Sequence, residues 1–191
     1  YAEQEKDTME IFYRKREIMW VYRGTGDFAE QQKMVNELEE LSNLVFSANR
    51  KRGIDLLRIV YNSKARLFYD ENQLDSARYY FSWLYNDKKE SPSLQMTILA
   101  AGGLSDVYLA TGHYDSALYY ARIYSAGSIR SGRSDLYRNA DLKFANIFFN
   151  SSSFDSAFHY AYLGLNAFKS ISDTSRNLSQ ILLLLSRLHE R

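Results

Sequence analysis

The sequence predicts an all-α protein: an α-α superhelix in which helical hairpins follow one another as a solenoid. The first indication is a repeat, because Asp-Ser-Ala occurs at residues 75–77, 115–117 and 155–157, each time 40 residues further along. A fixed period of this size is typical of repeat arrays. The second is that apolar residues recur every three or four positions, as in helices that bury one face. The third is the single proline and the lack of alternating apolar patterns, which leave no predicted strand.

The same pattern divides residues 1–191 into a single array of four hairpin units and a last helix without a partner. The units cover approximately residues 5–50, 53–90, 92–130 and 134–171, and the last helix covers 173–190. The nine helices are expected at about residues 5–23, 28–49, 53–70, 74–90, 93–111, 116–127, 135–149, 154–170 and 174–189.

Polar residues near the predicted helix starts supply the capping signals. The capping residues are expected to be Asp27, Asp115, Ser134 and Asp173. Ser91-Pro92 is expected to begin the fifth helix, as an N-cap followed by proline at the first helical position. Arg50-Lys51-Arg52 is expected to form a solvated turn before a third helix that opens at Gly53.

Composition excludes several classes of partner and chemistry. The hydrophobic fraction of 46% and the charged fraction of 25% are those of a globular protein with a core. A net charge of +1 argues against binding duplex DNA or an anionic membrane directly. The absence of cysteine excludes disulfides and thiolate chemistry but leaves the compartment open. The chain begins at Tyr1 and stops as a new helix has formed, so we expect a fragment of a longer protein.

No set of residues predicts catalysis, a cofactor or a metal. Gly24-Thr25-Gly26-Asp27-Phe28-Ala29 has the spacing of a dinucleotide-binding turn, but a helix precedes it where that motif requires a strand, so an inter-helix turn is favoured. The histidines His113, His159 and His189 lack metal-ligand spacing. The acidic residues at the repeated helix starts are explained by the helix dipole. We therefore expect a protein that is not an enzyme and has no cofactor.

Three of the four units resemble tetratricopeptide repeats, which are hairpins of two helices. That family has a small residue in the first helix, an aromatic residue three positions later, and an alanine in the second helix. The corresponding residues here are Ala65, Ser105 and Ala145, then Phe68, Tyr108 and Phe148, then Ala77, Ala117 and Ala157. In the first unit Met19 stands at the position of the small residue and Gln31 at that of the alanine, and the last helix differs from the family pattern at Leu185. The family's helix-ending proline is replaced by Lys89, Ile129 and Lys169.

The resemblance implies a protein-interaction or ligand-sensing scaffold. The Asp-Ser-Ala motif, the long units and the 16 tyrosines are similar to the periplasmic repeat regions of membrane-anchored bacterial regulators. That likeness implies the extracytoplasmic sensor part of a signalling or transcriptional regulator, attached to the membrane only through segments outside this chain. The alternative is an intracellular adaptor, in the cytoplasm, that binds a partner peptide. Either reading expects a protein or peptide partner and no direct contact with nucleic acid.

In such arrays the first helices of the hairpins line a concave face, where residues not used for packing form the ligand surface. The resemblance implies a peptide or ligand groove made of Arg16, Trp20, Arg23, Asn62, Arg66, Tyr69, Asp106, Asn146 and Phe149. Trp, Tyr and Arg often anchor interfaces, and an acidic peptide suits this mixture. Arg66 also lies four residues before Asp70, so a simple pair on the helix surface is the alternative for that residue.

The pattern also predicts two further surfaces. The last helix carries an apolar face, which we expect to be exposed and to join two copies of the chain through Ile181, Leu184, Leu185 and Leu188. The pairs Tyr79-Tyr80, Tyr119-Tyr120 and His159-Tyr160 recur at one phase of the repeat. They fit either packing between neighbouring helices or an exposed stripe.

Overall fold

The computed structural model describes residues 2–87, 93–132, 134–169 and 176–190, and within these residues every regular element is an α-helix. The all-helical fold that the sequence predicts is confirmed. The helices are α1 (Ala2–Thr25), α2 (Phe28–Ala48), α3 (Arg50–Asp70), α4 (Leu74–Asn86), α5 (Leu94–Ala110), α6 (Tyr114–Arg130), α7 (Ser134–Asn150), α8 (Phe154–Lys169) and α9 (Arg176–His189). None of the helices in the described residues is long and apolar enough to cross a membrane.

The chain divides into two compact units, residues 1–100 and 101–191, and the boundary lies within α5. A single array over residues 1–191 stays a prediction. In the first unit α1 packs on α2, α2 on α3 and α3 on α4. In the second unit α6 packs on α7, α7 on α8, and α9 on both α8 and α7. Sequential neighbours are therefore also spatial neighbours in each unit, as in helical repeats.

The connection between α2 and α3 differs from the expected turn. Asn49 alone separates the two helices, and its side-chain oxygen accepts a hydrogen bond of 3.2 Å from the main-chain N–H of Arg52. Arg50, Lys51 and Arg52 therefore form the first turn of α3 rather than a loop. The prediction was wrong because an asparagine cap lets a new helix begin immediately after the previous one ends.

The hairpin turns repeat one geometry that the sequence period reflects. Asn72, Gly112 and Ser152 have φ values of 60°, 75° and 62°, and each lies two positions after the last residue of a first helix. The next main-chain N–H bonds back to the first helix in each case, with Gln73 to Phe68 at 2.7 Å, His113 to Tyr108 at 2.9 Å and Ser153 to Phe148 at 2.8 Å. A residue in the left-handed conformation, followed by an N–H that bonds to the carbonyl five residues earlier, is the Schellman motif that ends a helix.

The first hairpin has the same turn, 46 residues before the second. Gly26 has a φ of 76°, and the N–H of Asp27 bonds to the carbonyl of Tyr22 at 3.0 Å. The Asp27 side chain accepts from the N–H of Glu30 at 3.2 Å, which confirms it as a cap. The glycine pattern at residues 24–29 is thus an inter-helix turn.

Asp115 is not a cap. The N-cap residue of α6 is His113, whose side chain makes no capping bond, and Asp115 lies inside the first turn. The helix begins one residue before the aspartate because the Schellman turn ends at His113. A carboxylate there still interacts favourably with the helix dipole. The capping roles expected for Ser91-Pro92 and Asp173, and the side chain of Ser134, lie outside the described residues.

Small residues and stacked aromatic rings hold each repeated hairpin together. Ala65, Ala77, Ala117, Ala145 and Ala157 are fully buried, as the resemblance implies. Beside them the ring pairs Phe68–Tyr80, Tyr108–Tyr120 and Phe148–Tyr160 stack with centroids 5.6, 5.6 and 5.5 Å apart. The small side chains let the two helices approach, and the stacked rings fill the space next to the contact.

The apolar face of α9 is buried, contrary to the expectation of an exposed face. Ile181, Leu184, Leu185 and Leu188 join the core of the second unit together with residues of α7 and α8. Association of two copies through these four residues loses its basis, because α7 and α8 already cover them. Leu182 and Leu183 are exposed instead.

Candidate ligand-binding face

Six of the nine predicted groove residues lie on α1 and α3 of the first unit. Arg16, Trp20 and Arg23 follow one another on α1 at intervals of four and three residues. Asn62, Arg66 and Tyr69 have the same spacing on α3. This spacing places each set on one side of its helix. We refer to these two sides together as the α1/α3 face.

An ion pair joins the C-terminal ends of α1 and α3. The guanidinium of Arg23 donates to both carboxylate oxygens of Asp70, from Nε at 2.6 Å and from Nη2 at 3.1 Å. The same guanidinium lies over the ring of Trp20, 5.3 Å from its centroid. This bidentate arrangement fixes the orientation of both charges. Asp70 is the residue named in the alternative for Arg66, and in the structure it binds Arg23, which is 47 residues away in sequence.

Asn62 is buried rather than exposed, with 6% of its surface accessible. Its Oδ1 accepts no hydrogen bond among the described residues. Leaving a buried amide carbonyl without a donor costs about 1 to 3 kcal/mol. The prediction that Asn62 lines an open surface was therefore wrong, because neighbouring helices cover it, but the side chain retains an unused acceptor.

Gln31 shares this feature at another place in the first unit. It is fully buried at the position that alanine holds in the other hairpins, and its Oε1 accepts no hydrogen bond from the described residues. Unlike Asn62, it lies on a second helix, α2, and at a helix crossing. Its burial follows from packing rather than from the α1/α3 face.

The second unit brings less of the predicted groove to the surface. The Asp106 carboxylate accepts from the ammonium of Lys143, which also donates to the carbonyl of Gly102 at 3.1 Å. Asn146 donates to the main-chain carbonyl of Leu142 at 3.0 Å. Phe149 is a core residue, so its assignment to the groove was wrong. It packs among α7, α8 and α9, with Arg187 over its ring at 4.6 Å.

Sequence reasoning missed two lysines that bridge neighbouring helices. Lys64 of α3 pairs with Glu39 of α2 at 2.7 Å and lies 5.8 Å from the ring centroid of Tyr80. Lys143 makes the corresponding kind of bridge between α7 and α5. Both lie on first helices, one or two residues before the small residue of the repeat. This shared position in the repeat is the sequence feature that could have identified them. Burial and the Glu39 carboxylate raise the pKa of the nearby Tyr61 hydroxyl above its ordinary value of 10.0.

The tyrosine pairs separate into a packing member and an exposed member. Tyr80, Tyr120 and Tyr160 are the partly buried rings that stack on the first helices. The preceding residues Tyr79, Tyr119 and His159 are exposed, and each ring stands edge-on to its neighbour at 5.1 to 5.3 Å. Both interpretations of the repeated pairs therefore hold, each for one member.

Over the described part of the chain, no group of three His, Cys, Asp or Glu residues is arranged to hold a metal ion.

Comparison with known proteins supports the fold and gives no family. No family model matches the chain, and no curated protein matches it. Among solved structures it is similar to the crystal structure of BtubC (BKLC) from P. vanneervenii, with a TM-score of 0.64 and 17% sequence identity. The match covers 85% of this chain and 66% of the other chain, so this chain spans just under two thirds of that structure's length. Likeness at this level of identity supports a helical-repeat fold.

Proposed function

We propose that this chain is a non-enzymatic scaffold of the tetratricopeptide type that binds a protein or peptide through the α1/α3 face. The observation that carries the proposal is the bidentate Arg23–Asp70 pair beside Trp20, which joins the ends of α1 and α3, the two helices that also carry Arg66 and Tyr69. An extended acidic peptide suits a face that combines aromatic and cationic side chains.

The neighbouring side chains suit a peptide that carries negative charge. Trp20, Arg66 and Tyr69 are of the residue types that most often anchor protein interfaces. The Arg23–Asp70 pair ties α1 to α3, so the two helices present their side chains from a fixed framework. A framework that is ordered before binding lowers the entropic cost of association.

The test is selection of peptides from a random library followed by affinity measurements on variants. For the selected peptide, Arg66→Glu should weaken binding by about 2 kcal/mol or more, close to thirtyfold, because a donor becomes a repulsive charge. Tyr69→Ala should weaken binding by removing an aromatic anchor. Asp70→Asn breaks the Arg23–Asp70 pair and should weaken binding less than Arg66→Glu does, because the framework loosens while Arg66 keeps its charge.

Tyr79→Ala supplies the matched control, since Tyr79 is an exposed aromatic residue on α4. Selected peptides that bind the Arg66→Glu and Tyr69→Ala variants normally but fail to bind the Tyr79→Ala variant would place the site on the second helices. That result would contradict the proposal.

We further propose that this scaffold is the periplasmic sensor part of a membrane-anchored signalling or transcriptional regulator. The Asp-Ser-Ala repeats and the abundance of tyrosine support this context. The second candidate is a cytoplasmic adaptor, which the same α1/α3 face would serve equally well. A fusion distinguishes the two candidates: a phosphatase that is active only outside the cytoplasm is joined to the natural protein after residue 191. Phosphatase activity supports the periplasmic sensor, and its absence supports the cytoplasmic adaptor.

A further inference from the structure

The outer side of α1 carries a row of exposed apolar side chains, which we call the α1 outer face. Ile11, Ile18 and Val21 are 46%, 47% and 63% exposed, although the opposite side of α1 buries Phe12 and Met19 in the core of the first unit. Single exposed apolar residues are ordinary on a protein surface. Three on one side of one helix, at intervals of seven and three residues, form a row that only Arg14 interrupts.

Comparison with α3 shows what would cover this face inside a repeat array. The matching hairpin turns place each α1 residue 46 positions before its α3 counterpart. Val21 then corresponds to Leu67, which is fully buried, whereas Ile11 and Ile18 correspond to Leu57 and Lys64, which are partly buried. The α1 outer face is thus the side that a neighbouring helix covers in the next hairpin.

A further repeat of the ordinary kind does not fit onto this face. Arg14, Glu10 and Glu17 occupy the positions of Val60, Leu56 and Ser63, all three of which are buried in α3. In α1 the three charged side chains are well exposed. Burying them under an apolar helix surface would leave charges without partners, at a cost of several kcal/mol. The occupant must therefore supply charges of its own as well as an apolar stripe.

We infer that the α1 outer face is an interface between two copies of this chain, with the two α1 helices antiparallel. When Ile11 of one copy faces Val21 of the other, Arg14 faces Ile18 and lies one residue from Glu17 of the second copy. The twofold axis repeats this Arg14–Glu17 contact, so the face is complementary to itself. A parallel arrangement places Arg14 against Arg14, and like charges in contact are unfavourable.

The bonds that Arg14 and Glu17 make within one copy do not oppose the contact between the two copies. Arg14 pairs with Glu10 four residues away, and Glu17 accepts from Arg16. Both are exposed pairs, which contribute little because water screens them. Across the interface the partial removal of water strengthens the Arg14–Glu17 contact, and the five N–H donors of the guanidinium allow Arg14 to keep its bond to Glu10 as well.

Sedimentation of the full chain over a range of concentrations tests the interface. We expect a concentration-dependent dimer, and Ile18→Asp should raise its dissociation constant at least tenfold. Arg14→Glu should have a similar effect, and adding Glu17→Arg to that variant should restore association because the charges are exchanged. Leu44→Asp, on an exposed leucine of α2, is the matched control and should leave the dimer unchanged.

Cross-linking determines the orientation, since the chain contains no cysteine of its own. Mixing Ile11→Cys with Val21→Cys protein under oxidising conditions should produce a disulfide-linked pair, whereas Ile11→Cys alone should not. A monomer at every concentration overturns the inference. So does a dimer that survives Ile18→Asp but is lost in Leu183→Asp, which would place the interface on α9.

Discussion

Ser105 of α5 donates a hydrogen bond of 3.0 Å from its hydroxyl to the main-chain carbonyl of Ala117 in α6. Both residues are buried at the contact between the two helices of one hairpin. The contact requires a small side chain at residue 117, because the serine reaches the backbone itself.

Ala117→Leu should therefore lower the free energy of unfolding by about 1 to 3 kcal/mol, since the added atoms force α5 and α6 apart. Urea denaturation measures the difference. Ala126→Leu places the same side chain on an exposed part of α6 and serves as the control. Equal stability of the wild type and Ala117→Leu would show that the assigned repeat positions are wrong.

Gly53 is required by the close contact of α2 and α3. A Cβ atom added to Gly53 would lie 2.2 Å from the Cα of Phe46, a main-chain atom that cannot rotate away. Gly53→Ala should cost at least about 3 kcal/mol, the upper part of the range for overpacking.

Gly24→Ala is the matched control for that substitution. Nothing lies within 4 Å of a Cβ at this helical residue, so the change should be neutral or stabilise by up to about 1 kcal/mol. Thermal unfolding of the two variants side by side checks both expectations. Similar midpoints for the two would contradict the close contact.

Arg58 and Asp87 form a buried ion pair at 2.8 Å, with side chains only 2% and 4% exposed. Arg58→Met should cost about 3 to 5 kcal/mol because it leaves the Asp87 charge buried without this partner. Arg78→Met breaks the exposed pair with Asp75 and should change stability by less than about 1 kcal/mol. Denaturant unfolding distinguishes the two, and a small loss for Arg58→Met would mean that water reaches Asp87.

Asp141 makes stability depend on pH. Burial raises the pKa of its carboxyl above the ordinary value of 3.8, and the charge of His159 offsets part of the rise. Above pH 3.8 the folded chain keeps a proton that the unfolded chain releases, so the contribution of Asp141 to stability falls as pH rises through the window up to the raised pKa.

Asp141→Asn removes this contribution. The stability difference between Asp141→Asn and the wild type should increase from pH 4 to pH 7, as measured by urea denaturation at each pH. Asp155→Asn, on an exposed residue of α8, should lack the increase. A difference that does not vary with pH would show that the charge of Asp141 is solvated in the folded state.

Local features of the fold were accessible from the sequence because they depend on bonds between residues close in the chain. The 40-residue period predicted that Asn72, Gly112 and Ser152 lie in equivalent turns, and each has a left-handed backbone. The small-residue and aromatic positions were predicted equally well, since the same local contact recurs in each hairpin. The start of α3 was missed because an asparagine cap needs no loop.

The candidate site was predicted only in part. The 3.6-residue period shows which residues share a side of a helix, but it does not show which helix will cover that side. Asn62 and Phe149 were assigned to the groove by spacing, and both are buried by helices that approach from elsewhere in the chain. The partner of Asp70 was missed for the same reason, since Arg23 belongs to a different hairpin.

The sequence by itself determined that this protein is helical, where most of its helices begin and end, and where each hairpin turns. These features follow from hydrogen bonds spanning three to six residues and from side chains such as Asp27 that cap them locally. Only the tertiary structure decided which apolar faces are covered. The apolar face of α9 is buried, whereas Ile11, Ile18 and Val21 of α1 are exposed. The reason is that burial depends on which helices come close in space, as α8 and α9 do where Gly164 leaves room for Ile181, and the helical period does not record this.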